Sequence, residues 1–196
     1  MIEENTINIR IAERVRTLRA ERGLSLEALA AHCGVSRSMI SLIERAESSP
    51  TAVLLERLAT GLDVTLASLF ETAAPAGDPV ARRADQGSWR DPGSGYLRRN
   101  VSPGAAGSPI RIVEVEFPPR ARVAYETAER ASRVHQQIWV LEGIIEVSLG
   151  ATVHRLQAGD CLAHLLDCPI MYHNPGHAPA RYAVVTATEA PHRRAP

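Results

Sequence analysis

The stretch from Gly23 to Thr51 constrains the fold more than any other part of this chain. It holds two short apolar runs at helical spacing: Leu26, Leu29 and Ala30, then Val35, Met39, Ile40 and Ile43. Gly34 stands just past the first run, where a helix stop calls for a positive φ. Ser36 follows it and can cap the second run through its hydroxyl. Further helices flank the pair. Ile11, Val15 and Leu18 give a first helix its buried face, with Arg14, Arg16, Arg19 and Arg22 around it. Thr51 to Gly61 reads as a fourth helix with Leu54, Leu55 and Leu58 inward, and Leu66 to Phe70 as a short fifth.

The run Gly34-Val-Ser-Arg-Ser-Met-Ile-Ser-Leu-Ile-Glu-Arg45, followed by Ser49-Pro-Thr51, resembles the phage-repressor-like (XRE-type) helix-turn-helix regulators. The resemblance covers residues 7–70 and implies a five-helix domain that binds double-stranded operator DNA, with the third helix in the major groove. It carries the base-facing role onto Arg37, Ser38 and Leu42, with Ser36, Met39 and Ser41 near the groove. Arg37 suits a bidentate contact to guanine, or else a phosphate contact. Leu42 touches either a thymine methyl or nothing. Leu26 stands where relatives place Gln, which removes one phosphate contact. Ser25 still caps that helix, so its first amides can face a phosphate. Residues 1–70 hold 8 Arg against 9 Asp plus Glu, so their net charge is −1 and binding rests on charge distribution. Two half-sites and a homodimer are the natural expectation.

Composition sets outer bounds. The chain has 196 residues, enough for a second core after residue 70. All 22 basic residues are Arg, a pattern read as genomic bias. No run reaches membrane-spanning length, and Met1-Ile-Glu-Glu-Asn5 lacks the features of a signal peptide, so cytoplasmic residence without a membrane partner is expected. Three cysteines, Cys33, Cys161 and Cys168, do not make a disulfide framework.

Residues 71–87 read as a linker of small and turn-forming residues. Residues 88–196 then form a second domain. Trp89 to Val101 looks like a turn and a short strand. Strands follow at 110–117, 136–141, 144–149, 153–156, 161–165, 171–174 and 181–186, divided by Gly and Pro turns. Ile138-Trp-Val-Leu-Glu-Gly143, Leu156-Gln-Ala-Gly-Asp160, His173-Asn-Pro175 and Pro179-Ala-Arg-Tyr182 together resemble the cupin pattern. That resemblance implies a jelly-roll β-barrel with a central pocket. Its metal ligands do not carry over. The carboxylate position falls on Gln136 and one histidine position on Ile170. The other two fall among Glu129 to Ser132, none of which is His. The turn glycine becomes Asp167, which tolerates a left-handed backbone. An amide and an isoleucine cannot replace imidazole and carboxylate ligands. The domain therefore reads as a degenerate, metal-free cupin with no cofactor, not as an iron-dependent cupin enzyme.

The pocket of such a domain would take a small polar or amphipathic effector at Tyr125, His135, Gln136, Ile138, His164 and Tyr172. Strand alternation points Gln136 and Ile138 the same way, and Ile170 and Tyr172 likewise. His135 is either a pocket donor or a rim residue. Trp139 reads as core or pocket wall. Cys161, His164, Cys168 and His173 have superficially zinc-like spacing, but core cysteines and pocket histidines account for them better. The whole reads as a ligand-responsive regulator. The alternative is a regulator whose second domain only dimerises.

Overall fold

The computed structural model describes residues 2–70, 78–104, 108–126 and 132–189, with side chains from Thr6 onward. Its N-terminal part is built from α1 (Ile2–Glu21), α2 (Leu26–Cys33), α3 (Arg37–Glu44) and α4 (Ala52–Gly61). Each apolar stripe read in the sequence faces one core. Ile7, Ile11, Val15 and Leu18 recur every three or four residues along α1 and are all buried. Gly34 ends α2 with φ 64°, and its N–H returns to the Ala30 carbonyl. Ser25, Ser36 and Thr51 are the N-caps of α2, α3 and α4, each accepting from a backbone amide three residues on.

The expected fifth helix is instead a 3-10 turn over Leu66–Phe70. Ser68 N–H bonds the Thr65 carbonyl, three residues back, and the Thr65 hydroxyl takes the same amide. Five residues closed this way give a tight turn, not an α-helix. The helical domain thus has four α-helices among the described residues.

Ten strands follow: β1 (Ser88–Arg90), β2 (Leu97–Asn100), β3 (Ile110–Phe117), β4 (Arg122–Tyr125), β5 (Val134–Glu142), β6 (Ile144–Leu149), β7 (Thr152–Gln157), β8 (Cys161–Leu165), β9 (Ile170–His173) and β10 (Ala180–Thr188). They form a six-stranded sheet, β1-β2-β3-β10-β5-β8, and a four-stranded sheet, β4-β9-β6-β7. The jelly-roll barrel expected from the sequence is therefore not closed. Edge strand β1 is occupied elsewhere: Trp89 packs its ring 5.3 Å from that of Phe70, in the helical domain. β7, at the edge of the smaller sheet, pairs only with β6.

Gly143 makes the β5–β6 turn at φ 77°, and a Cβ there would meet the Pro179 carbonyl oxygen at 3.0 Å. Fully buried Asn174 ties the turn after β9. Its amide donates to the Phe117 and Ala178 carbonyls at 3.1 and 2.9 Å, and its oxygen accepts from Gly176 N–H at 2.8 Å. Asp167 is not among the residues with positive φ, so the substituted turn needs no left-handed residue there.

The two parts share one core. Phe70, Trp89, Tyr96, Phe117 and Tyr182 form a chain of ring contacts from the helical domain into the space between the sheets. At the junction Asp91, 3% exposed, accepts a 2.8 Å hydrogen bond from Ala52 N–H, the first amide of α4. Its other oxygen accepts from the amide and hydroxyl of Ser94 at 2.8 and 2.6 Å. A residue of the β-domain thus caps a helix of the other domain, where the helix dipole favours a carboxylate. Asn100 donates to the Phe70 carbonyl and Arg57 pairs with Glu126 across the same boundary.

Candidate functional site

Two surfaces carry the chemistry: the exposed side of α2 and α3, and a pocket beneath α4. On the first, Ser36, Arg37 and Ser38 lie exposed at the start of α3, with the Ser36 and Ser38 hydroxyls 3.2 Å apart. Ser41 and Leu42 are half-buried one turn further along the helix. Arg37 extends from α3 to Glu27 on α2, with Nε 2.5 Å from the carboxylate. Glu27 is held below the usual carboxylate range, chiefly by its backbone hydrogen bond, and also by Arg37 and Ser25. Ser25 is exposed at the start of α2. Leu26 and Met39 pack in part against the core, so each exposes only part of its surface. The angle of α3 is fixed from behind. Arg19 donates to both oxygens of buried Glu44 at 2.7 and 2.8 Å, and to the Leu24 carbonyl.

Among the described residues no group of His, Cys, Asp and Glu side chains here could hold a metal ion. The arrangement supplies a short helix, capped and braced, with an arginine and small hydroxyls at its exposed N-terminus. A helix N-terminus of this kind has the shape and donors that suit a DNA groove. A helix-turn-helix family model, HTH_3, matches residues 15–69. The control protein C.MunI of Mycoplasma sp is 37% identical over 67 residues, which cover 90% of it and 34% of this chain.

The chain belongs to the HTH_3 helix-turn-helix family.

The transcriptional regulator SutR of Escherichia coli is 41% identical over 69 residues, 34% of this chain and 39% of SutR. The chain therefore spans well under half the length of that relative. A solved HTH_3 family transcriptional regulator from Vibrio cholerae superposes with a TM-score of 0.76 at 29% identity, over 95% of this chain and 99% of the other. The likeness to that structure includes the β-domain as well as the helices. No helix among the described residues is long and apolar enough to cross a membrane.

The pocket lies between the two sheets, with an empty volume of about 680 Å³, solvent at its mouth included. All four tyrosines of the chain line it: Tyr96, Tyr125, Tyr172 and Tyr182. Tyr172 stacks on Tyr182 at 5.8 Å and meets Tyr125 edge-on at 6.1 Å. The Tyr96 and Tyr125 hydroxyls are 3.2 Å apart, and Tyr172 donates to the Gln136 amide oxygen at 3.1 Å. Burial raises all four phenols, Tyr96 to about 12, so they remain protonated hydrogen-bonding groups. Arg98 of β2 and Glu56 of α4 are the charged lining residues. Glu56, Thr65, Leu66 and Ala67 make the wall contributed by the helical domain.

Of the six pocket residues read from the sequence, Tyr125, Gln136 and Tyr172 meet in this space. Ile138 points inward but sits fully buried away from the lining. His135 belongs to the other strand phase: it is exposed and pairs with Glu189 at 2.7 Å. His164 lies directly across from Gln136 on β8 but does not line the pocket. Its Nδ1 faces the Leu165 carbonyl at 2.8 Å, its Nε2 is buried without a partner among the described residues, and burial lowers its pKa.

Trp139 is neither core nor pocket wall, being 51% exposed. The inward phase of β5 runs through Val134, Gln136, Ile138 and Val140, so alternation sends Trp139 out. Cys161, its neighbour across β8, is exposed as well and not a core cysteine. Cys168 is half-buried, and His173 pairs with Glu146 at 2.9 Å, so the zinc-like spacing is not a cluster. Inward-facing Ile170 lines the pocket. Two of the histidine positions implied by the cupin resemblance fall among Glu129 to Ser132; residues 129–131 lie outside the described residues.

Sequence reasoning missed Tyr96, Arg98, Tyr182 and Glu56. Tyr96, just before β2, and Arg98 within it are two apart, so both turn to the same side, a signal readable once the strand's phase is set. Glu56 could not be found this way, because its place depends on how α4 docks.

Proposed function

We propose that this HTH_3 protein is a ligand-responsive transcriptional regulator. The helical domain reads an operator through Arg37, Ser38 and Leu42. Ser25, Leu26, Ser36, Met39 and Ser41 lie alongside, and the cupin-like β-domain holds a small effector. One observation carries this reading: the pocket wall is shared, with Glu56, Thr65, Leu66 and Ala67 on one side and the tyrosines of the β-domain on the other. A molecule bound there touches the element that packs directly behind the reading head. Gly61 of α4 abuts Cys33 of α2 so closely that a Cβ would come within 2.7 Å of the Cys33 Cβ. Any difference in effector affinity between two settings of α4 becomes a difference in operator affinity.

A binding role for the pocket, and not a metal-dependent reaction, is supported by what stands at the ligand positions. Gln136 spends its amide oxygen on Tyr172, and Ile170 is apolar. Homodimerisation is part of the proposal. On the outer face of the six-stranded sheet, Trp139 lies across from Ala183 and Cys161, and Ile112 across from Val185. An apolar patch at the centre of a sheet face suits a second copy of the same chain, giving a two-fold assembly that matches a two-fold operator.

The test is selection of bound duplexes from a random pool with the full chain. Electrophoretic titration of the recovered site, with and without a metabolite mixture, then follows. The reading expects a two-fold symmetric site and an affinity that the mixture changes. A chain that selects no sequence, or whose affinity no metabolite changes, would count against the regulator or against the sensor respectively.

A further inference from the structure

The pocket holds a buried arginine side chain with no direct polar contact among the described residues. Arg98 is 7% exposed and lines the cavity. Among the described residues its side chain makes no hydrogen bond and no ion pair. Its guanidinium lies 5.0 Å from the centre of the Phe70 ring, and its Nε is buried with no partner. A buried guanidinium left this way is costly, and charged groups inside proteins are normally paired. Near it are the phenols of Tyr96, Tyr172 and Tyr182, and the Tyr182 hydroxyl also has no partner among the described residues. Much of the remaining wall is apolar, with Val113, Val115 and Phe117 prominent, alongside Glu56, Thr65, Gln136 and Thr186.

We infer that the effector is a small monocarboxylic acid with an apolar or aromatic body, its carboxylate held by Arg98 and the Tyr182 hydroxyl. This deepens the sensing function proposed above and rests on it. Arginine's planar fork matches a carboxylate, and low local polarity strengthens the pair. Glu56 restricts the class further. It lines the same cavity. With Glu56 and Arg98 both in the wall, one carboxylate takes the pocket to a net charge of −1 and a dianion takes it to −2, so a single carboxylate is the more readily held. Arg98 also stacks on Phe70, at the end of the 3-10 turn, so its repositioning on binding is felt in the helical domain.

The test uses the full chain with benzoate, phenylacetate and hexanoate, each beside its primary amide, and with inorganic phosphate. At least one acid is expected to raise Tm by about 5–10 °C at a hundredfold excess over its Kd. The amides and phosphate leave Tm in place. Arg98→Gln and Arg98→Met each weaken the acid by about 10–100-fold. Without ligand, Arg98→Met melts no lower than the parent, because it removes a buried, unpaired charge. Equal effects of acids and amides, stabilisation by phosphate alone, or no effect of any acid would overturn the assignment. So would a much lower Tm of ligand-free Arg98→Met, which would make Arg98 a structural partner of Phe70. Stabilisation by an amide that also changes operator affinity removes the carboxylate and keeps the sensor. Acid binding that leaves operator affinity unchanged removes the sensor and keeps the carboxylate.

Discussion

Asp91→Ala is the perturbation that most directly loosens the joint between the two domains. The carboxylate is 3% exposed and accepts three hydrogen bonds, from Ala52 N–H, Ser94 N–H and the Ser94 hydroxyl. Bonds to a charged acceptor contribute about 1.5–3 kcal/mol each, but the Ser94 pair can turn to water, so they do not add. The Ala52 amide cannot: it is enclosed, and its orphaned N–H costs about 1–3 kcal/mol. Loss of the carboxylate at the N-terminus of α4 costs about 0.3–1 kcal/mol more. The total is about 3 kcal/mol, equivalent in a chain of this size to a Tm lower by about 6–12 °C. Asp91→Asn keeps one acceptor oxygen and should lose about half as much. Guanidinium unfolding followed by tryptophan fluorescence reads both variants, since Trp89 packs between Phe70 and Tyr96 at the joint. A loss below 1 kcal/mol in Asp91→Ala, or equal losses in both variants, would refute the claim that this carboxylate ties the domains together.

Other consequences can be checked separately. Gly61→Ala should destabilise by about 1–3 kcal/mol in thermal melts, because its Cβ would come within 2.7 Å of the Cys33 Cβ; an unchanged Tm would mean that α2 and α4 are not in close contact. Arg37→Ala should weaken operator binding by about 1–3 kcal/mol and relax preference at one base pair, read by titration on single-base variants; a uniform loss would make Arg37 a phosphate contact. Burial holds the His164 pKa below 6.5 in the folded chain, so the unfolded chain takes up the proton first as pH falls. Stability is then full above about pH 6.5 and declines on acidification toward the folded pKa; His164→Gln should flatten the Tm profile between pH 7 and 5, and an unflattened profile would remove that assignment. Trp139→Glu should shift a dimer toward monomer in sedimentation equilibrium while the fold persists; an intact dimer would place the interface elsewhere.

The helical domain was legible because its signals are local. Gly34, Ser36 and the spacing of Ile40 and Ile43 each act within one or two turns, and each does in the structure what its chemistry predicts. Strand boundaries such as Ile110–Phe117 and Cys161–Leu165 were legible for the same reason, since alternation and turn residues are near-neighbour properties. Barrel closure was not, because it depends on what the edge strands meet, and Trp89 meets Phe70. The pocket was half legible. Gln136, Tyr125 and Tyr172 could be placed by motif and phase. Arg98 and Tyr182 converge from strands 84 residues apart, joined only through β3, and Glu56 comes from the other domain. Trp139 shows the opposite failure: its hydrophobicity argued for the core, while the strand phase that fixed Gln136 already excluded it.

The central claim is that the pocket and the reading head are one thermodynamic unit, and reciprocity tests it without knowledge of the pathway between them. Calorimetric titration of the full chain with the tightest-binding carboxylate probe, free and saturated with its selected operator, gives two dissociation constants. Their ratio should fall in the range of about 5–150 and equal the factor by which the same probe changes operator affinity. Identical dissociation constants, with the probe demonstrably in the pocket through its loss in Arg98→Gln, would contradict the account.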